Sequence, residues 1–156
     1  MNVAFIGLGA IGLPMARQIQ KAGHGVVGVE LSEANRALAL THGIESSADW
    51  RVAIDADVVV VDISNTENPV AGVEDLAQRI KARLLAVGQQ NDARIYRDVC
   101  RAGAIDYLVL PADEECLAEA LQAEDTATAP VDEEECRVAL VIGARGGVGA
   151  STLAVG

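Results

Sequence analysis

The sequence has few basic residues, few cysteines and no long hydrophobic run. Its 156 residues carry 12 basic and 23 acidic side chains, which gives a formal net charge of −11. No basic stripe is evident, so the composition argues against binding to nucleic acid or to a membrane surface, since both are polyanions. No apolar run approaches the roughly 18 residues of a membrane-spanning helix, which argues against direct membrane insertion.

The three cysteines, Cys100, Cys116 and Cys136, show no spacing typical of metal ligands. Their odd number favours reduced thiols, and we therefore expect a cytoplasmic protein. The apolar start of the chain leads directly into a glycine-rich turn, which is typical of a first strand rather than of a targeting segment. A domain of this size can bury a core without disulfides or metals.

The acidic charge is concentrated in one short segment. Residues 1–122 carry 17 acids and 10 bases, whereas residues 123–136 carry six acids and no base. The latter segment, AEDTATAPVDEEEC, has little to bury and is predicted to be an acidic linker. Residues 137–156 begin a new pattern of strand, glycine-rich loop and apolar residues, so we predict the first strand and phosphate loop of a truncated, ATPase-like domain.

Within residues 1–122, short apolar runs alternate with amphipathic helical patterns, which is the order of a parallel sheet. This alternation predicts an α/β fold, a doubly wound three-layer sandwich with a five-stranded parallel sheet that is flavodoxin/receiver-like or Rossmann-like. Ligands are expected at the carboxyl ends of the strands. The predicted strands are Asn2–Ile6, Val26–Leu31, Asp57–Asp62, Arg83–Val87 and Tyr107–Leu110.

The first turn contains the spacing G-x-G-x-x-G at Gly7, Gly9 and Gly12, between a predicted strand and a predicted helix. In a dinucleotide site these glycines allow a tight turn, the approach of a pyrophosphate and close helix packing. Glu30 ends the second strand, where an acid would bind the ribose hydroxyls. The alternative is a turn that only helps packing and binds nothing.

The stretch IGLGAIGLPMARQIQKAGHGVVGVE resembles the start of the β-hydroxyacid dehydrogenases, the 3-hydroxyisobutyrate dehydrogenase group. The resemblance fades beyond about Ser64. It implies an NAD(P)-binding domain of an oxidoreductase, with NAD held by Gly7, Gly9, Gly12 and Glu30. An acid at Glu30 favours NAD over NADP, because it repels a 2′-phosphate.

From about Ala56 to Leu121 the sequence resembles the second half of a response-regulator receiver domain, most clearly in AGAIDYLVLP. Asp62 falls at the position of the receiver's phosphoacceptor. Phosphoryl transfer also needs an acidic pair that binds Mg²⁺ and a lysine, but the sequence has Gly7-Leu8-Gly9 and Leu110 at those positions. We therefore expect no catalytic residue here, and interpret Asp62 as a degenerate position or as an acid that caps a loop amide.

The loop GARGGVGAST resembles the deviant phosphate loop of MinD/ParA-type ATPases, with Arg145 in the place of the signature lysine. The resemblance implies that a full-length parent would bind ATP and Mg²⁺ there. No lysine follows the last loop glycine, where Ala150 stands, so catalysis by this fragment is not expected. The residues that would contact phosphate or Mg²⁺ are Gly146, Gly147, Gly149, Ser151 and Thr152.

The order of parts, a receiver-like domain, an acidic linker and an RGGVGAST loop, resembles the CpaE/TadZ-type Flp pilus assembly proteins. The resemblance implies a non-catalytic module for localisation and protein contact, with partners in the pilus assembly machinery and a position at the cell pole. A surface around Tyr96 and Tyr107 is a candidate homodimer face, and ordinary core burial is the alternative. The dehydrogenase-like domain remains the second hypothesis.

Overall fold

A computed structural model describes residues 1–112 and 114–122. In this part of the chain six strands alternate with five α-helices and a short 3-10 helix at Trp50–Ala53. The strands are β1 (Asn2–Ile6), β2 (Gly25–Val29), β3 (Glu45–Ser47), β4 (Val58–Asp62), β5 (Arg83–Gly88) and β6 (Ala104–Val109). The helices are α1 (Gly12–Lys21), α2 (Glu33–Thr41), α3 (Pro69–Arg79), α4 (Ala93–Arg101) and α5 (Glu114–Gln122).

The strands form one parallel sheet in the order β3-β2-β1-β4-β5-β6. The predicted α/β fold with a parallel sheet is therefore confirmed. The sheet has six strands rather than the predicted five, because β3 adds a three-residue edge strand beside β2. With β3 the order is that of a Rossmann fold, and without it the order is that of a flavodoxin-like or receiver fold.

The strand β3 has no sequence pattern that would predict it. Its residues, Glu45, Ser46 and Ser47, are polar, and none is fully buried. Pairing with β2 and the hydrogen bond from the Glu30 amide to the Ser47 carbonyl hold it in place. An edge strand needs no apolar alternation, so its backbone bonds alone define it.

Two cores lie on opposite faces of the sheet, and alternate residues of the central strands contribute to each. Val58 and Val60 of β4 pack on the face covered by α1, α2 and α5. Val59 and Val61 pack on the face covered by α3, α4 and the 3-10 helix. The β-branched run is thus buried on both faces, as its composition predicts for a central strand.

Differences from the predicted boundaries are small. The sixth strand begins at Ala104, three residues before the predicted Tyr107, and its register with β5 is irregular between Leu84 and Leu85. The fifth helix is described from Glu114, so a cap at Asp113 lies outside the described residues. No helix within the described ranges is long and apolar enough to cross a membrane.

Candidate functional site

The turn between β1 and α1 gives each of its three glycines a different steric role. Gly7 has a φ of +92°, a left-handed conformation that favours glycine, and its amide donates to the Val29 carbonyl. A Cβ on Gly12 would overlap the Gly7 carbonyl oxygen, so only glycine allows the helix to start this close to β1. A Cβ on Gly9 would meet nothing within 4 Å. The backbone at Gly9 is therefore open to a ligand.

The first helix also begins without a side-chain cap. The side chain of its N-cap residue, Ile11, cannot accept a hydrogen bond, and its first turn holds no acid. The amides of residues 9–12 donate to no acceptor among the described residues. Consecutive free amides at a helix N-terminus form a site of positive potential for an anionic group. By contrast, α2, α3 and α4 are capped by the side chains of Ser32, Asn68 and Asp92.

The Glu30 carboxylate lies directly beside this turn. Its Oε2 accepts the amide of Leu8 at 2.8 Å, and its Oε1 accepts the amide of Ser32 at 2.8 Å. The side chain thus joins the glycine-rich turn to the start of α2. Each carboxylate oxygen has a second lone pair, so Glu30 can still accept bonds from hydroxyl groups of a ligand.

Three further residues shape the turn, and the sequence analysis missed them. The Leu8 side chain is 1% exposed and anchors the turn in the core. It packs across β2 only because Gly28 lacks a Cβ that would overlap its Cδ1. Arg36 Nη1 donates to the carbonyls of Glu30 and Leu31 and fixes the segment after β2. The glycine within VVGVE was the available signal, since glycine inside a strand indicates close approach of another group.

Two clefts at the carboxyl ends of the strands share Gln89 as a wall. The first, on the α1 side, has a volume of about 530 Å³ and is mainly apolar, with Ile11, Met15 and Leu110 among its lining residues. The second, on the α3 and α4 side, has a volume of about 260 Å³ and includes Ser64, whose Oγ is buried and has no hydrogen-bond partner among the described residues. The glycine-rich turn therefore opens onto an apolar cleft large enough for an aromatic ring.

Asp62 ends β4 next to the same turn. A Cβ on Gly7 would lie 3.3 Å from the Asp62 Cβ. The Asp62 Oδ1 accepts the amide of Ser64 at 2.9 Å, the bond expected of a carboxylate that caps a loop. Among the described residues no group of three or more acidic, histidine or cysteine side chains could hold a metal ion. The acidic pair that a receiver uses for Mg²⁺ has no counterpart there.

The two tyrosines of the candidate dimer face lie in different environments. Tyr107 is 4% exposed, and its hydroxyl donates to the Gln90 carbonyl at 2.9 Å, so its side chain belongs to the core and cannot form a dimer face. Burial raises the pKa of Tyr107, and the charge of Asp62 adds to this shift. Tyr96 is 45% exposed on α4. The charge of Asp106 raises the pKa of Tyr96.

The structure brings Gly7, Gly9, Gly12 and Glu30 together around the first turn, with Asp62 beside them. The predicted acidic linker and the second phosphate loop, with its expected ligands Gly146, Gly147, Gly149, Ser151 and Thr152, lie outside the described residues.

Solved structures of two classes share this fold. Arogenate dehydrogenase from Synechocystis matches with 18% identity and a TM-score of 0.58, over 68% of this chain and 39% of its own. A 3-hydroxyisobutyrate dehydrogenase from Mycobacterium tuberculosis matches with 23% identity and a TM-score of 0.56, over 73% and 42%. The chain thus spans about two fifths of the length of these dehydrogenases.

A pilus assembly-related protein from Burkholderia pseudomallei matches with 20% identity and a TM-score of 0.55, over 78% of this chain and 89% of its own. At these identities the likenesses show the fold alone. No curated protein matches the sequence. The sequence model of one family, the NAD binding domain of 6-phosphogluconate dehydrogenase, matches residues 2–89, which is more than half of the chain. The chain therefore belongs to that family.

Proposed function

We propose that residues 1–122 bind NAD(H) at the turn between β1 and α1. The observation that carries this proposal is the open turn itself: the amides of residues 9–12 have no acceptor among the described residues, and Gly9 leaves space in front of them. A diphosphate supplies the charge and the acceptor atoms that such amides lack. Family membership over residues 2–89 supports the same ligand.

The orientation of the dinucleotide follows from the groups on either side of the turn. Glu30 lies on the β2 side and would accept the ribose hydroxyls of the adenosine half. The apolar cleft bounded by Ile11, Gln89 and Leu110 lies on the β5 and β6 side and would hold the nicotinamide ring. The bound cofactor supplies hydride-transfer chemistry. The described residues bind and orient it.

Glu30 also favours NAD over NADP in this arrangement. Its two oxygens are held toward the turn by the amides of Leu8 and Ser32, so the carboxylate cannot easily turn away from a ligand. A 2′-phosphate at the adenosine ribose would bring negative charge against it. Arg36, the nearest base in sequence, uses Nη1 to bind two backbone carbonyls. We therefore expect weaker binding of NADPH than of NADH.

Calorimetric titration of the full chain with NADH tests the proposal. We expect a micromolar dissociation constant, and we expect Gly9→Val to raise it at least about tenfold, equivalent to about 1.4 kcal/mol. The variant should fold normally, because a side chain at Gly9 points into open space. Gly72→Ala in α3, where a Cβ also finds room, is the matched control and should bind NADH as the parent does. Absence of NADH binding by the parent chain would refute the proposal.

A second candidate function, a protein-contact module of the pilus assembly machinery, is supported by coverage. The Burkholderia pilus assembly-related protein matches over 89% of its length, whereas each dehydrogenase matches over about two fifths. In this alternative the domain has the same fold, but it functions through protein contacts on its surface and not through a ligand at the turn between β1 and α1. Two results together would favour this alternative. Titration with NADH would release no heat, and a pilus component would co-purify with the parent chain but not with a variant altered on a helix surface.

A further inference from the structure

The outer face of α4 carries three arginines that form no ion pair with any described residue. Arg94, Arg97 and Arg101 are spaced three and four residues apart, so they share one side of the helix, and all three are exposed. Within the described ranges, no carboxylate lies within 4 Å of any of these guanidinium groups. Only Arg97 forms a side-chain hydrogen bond, from its Nε to the Ala93 carbonyl. We call these three residues the α4 arginine stripe.

The stripe is unusual because the rest of the protein is acidic. Residues 1–122 carry 10 basic side chains against 17 acids, and three of the 10 lie on this one helix face. Asp98 is the only acid within the helix, and its spacing of four residues from Arg94 and three from Arg101 places it on the same side of the helix. These arginines are not adjacent in the sequence, so charges counted along the chain do not reveal a basic stripe. The positive surface appears only when the helical periodicity of α4 is applied to these arginines.

We propose that the α4 arginine stripe is the docking surface for the acidic segment 123–136 of the same chain. This inference does not depend on NAD binding. The first support is charge complementarity, since the segment carries six acids and no base. Arginine clusters bind acidic peptides through charge-assisted, often bidentate hydrogen bonds.

The second support is a match of lengths. Arg94 and Arg101 are seven positions apart, which corresponds to about 10 Å along a helix. The run Asp132–Glu135 would span about 10 Å if it were extended. Successive side chains of an extended run point to opposite sides, so two of the four carboxylates would face the three guanidinium groups at one time.

The third support is where the segment leaves the domain. It follows α5, and the Leu121 carbonyl near the end of α5 accepts a bond from Arg83, the first residue of β5. The stripe ends at Arg101, just before β6 begins beside β5. Both points lie at the amino edge of the sheet, and β6 is its last strand. The ten residue-to-residue steps from Gln122 to Asp132 can extend about 33 Å, enough to pass around that edge.

The contact is expected to be weak for each ion pair and to depend on tethering. Exposed ion pairs are individually small, but a short linker gives the acidic segment a high effective concentration at the stripe. The contact should therefore form at low ionic strength and dissociate at high salt. The screening length falls from about 30 Å at about 0.01 M salt to about 3 Å at about 1 M.

Paramagnetic NMR on the full chain tests this proposal. Cys136 directly follows the acidic run, so a nitroxide on Cys136 in a Cys100→Ser, Cys116→Ser background reports where the segment lies. At low salt we expect the α4 amides to lose more than half of their intensity, while those of α2, on the opposite half of the sheet, keep theirs. High salt should restore the α4 signals, and so should the triple variant Arg94→Gln, Arg97→Gln, Arg101→Gln.

The matched control is the triple variant Arg17→Gln, Lys21→Gln, Lys81→Gln, which removes the same charge from exposed sites elsewhere. It should leave the α4 attenuation unchanged. Equal loss in both triple variants would overturn the proposal, because it would reflect net charge alone. Attenuation that grows with protein concentration would also overturn it, since the segment would then dock on a second copy. Attenuation spread evenly over the domain would show that there is no docking site.

Discussion

The loop after β1 and the loops after β4 and β5 lie at the same edge of one sheet, yet the helices that follow these loops begin in different ways. After β4, Asp62 caps the Ser64 amide and Asn68 caps the start of α3. After β5, Asp92 caps the start of α4. After β1, four consecutive amides find no acceptor among the described residues, and the start of α1 has no side-chain cap.

This difference supports the proposed ligand site in a fold that two classes of protein share. A helix start that satisfies its own amides needs nothing further, whereas an uncapped start leaves hydrogen-bonding capacity that folding has not used. Gly9 keeps that capacity accessible, because a Cβ at this position would meet nothing within 4 Å. At this edge α3 and α4 therefore begin with a side-chain cap, whereas α1 begins without one.

Among the substitutions that test this comparison, Gly12→Ala should have the largest effect on the free energy of unfolding. The new Cβ would overlap the Gly7 carbonyl oxygen and would also lie 2.9 Å from the Phe5 ring, so α1 must move away from β1. We expect the free energy of unfolding to fall by about 3 kcal/mol, at the upper end of the usual cost of overpacking. Urea unfolding followed by circular dichroism measures it.

Gly9→Ala is the control for this substitution, because the same change three residues earlier meets no atom within 4 Å. Its free energy of unfolding should stay within about 0.5 kcal/mol of the parent value. Equal destabilisation by the two substitutions would mean that the turn has no specific packing role for Gly12.

A smaller effect is expected from Glu30→Ala. The substitution leaves the Leu8 and Ser32 amides without their acceptor and separates the turn from α2. We expect a loss of about 1–2 kcal/mol in unfolding free energy, since bonds to a charged acceptor are among the stronger ones. The ratio of NADPH to NADH dissociation constants should also fall. Glu33→Ala, an exposed acid in the first turn of α2, should change neither quantity appreciably.

The free energy of unfolding should depend on alkaline pH through Tyr107. The pKa of Tyr107 is raised above its ordinary value of 10.0, chiefly by burial, so the folded state holds the phenol proton more tightly than the unfolded state does. This contribution is fully present below about pH 10 and is lost as the pH rises further. Tyr107→Phe removes it, together with the bond to the Gln90 carbonyl, at a cost of about 1 kcal/mol at neutral pH.

Urea unfolding at about pH 8 and about pH 10.5 separates these two contributions. The parent should lose more stability between the two pH values than Tyr107→Phe does. Tyr96 also has a raised pKa, from the charge of Asp106, so some alkaline sensitivity should persist in the variant. An unchanged slope in Tyr107→Phe would assign the whole effect to other groups.

Much of the fold follows from periodicity, and much of the site does not. The run DVVVVD identifies β4 because a strand buried on both faces must be apolar throughout. The three turn glycines are recognisable because each meets a backbone demand at a fixed spacing. In contrast, β3 consists of polar residues held by backbone bonds, and the role of Leu8 depends on Gly28, which is 20 positions away in sequence. Such contacts arise from tertiary packing, which local patterns do not encode.

Substitution of Asp62 should have the smallest effect, and Asp62 also provides the sharpest test of the resemblance to receiver domains. Its Oδ1 already accepts the Ser64 amide, and no metal-binding acidic cluster exists among the described residues. We expect no phosphoryl adduct by mass spectrometry after incubation with acetyl phosphate and Mg²⁺, because nothing there neutralises the transferred charge. Asp62→Asn keeps an acceptor oxygen for Ser64, so its unfolding free energy should change by less than about 0.5 kcal/mol. A Mg²⁺-dependent adduct that Asp62→Asn abolishes would mean that the β4 loop, rather than the glycine-rich turn, holds the reactive site.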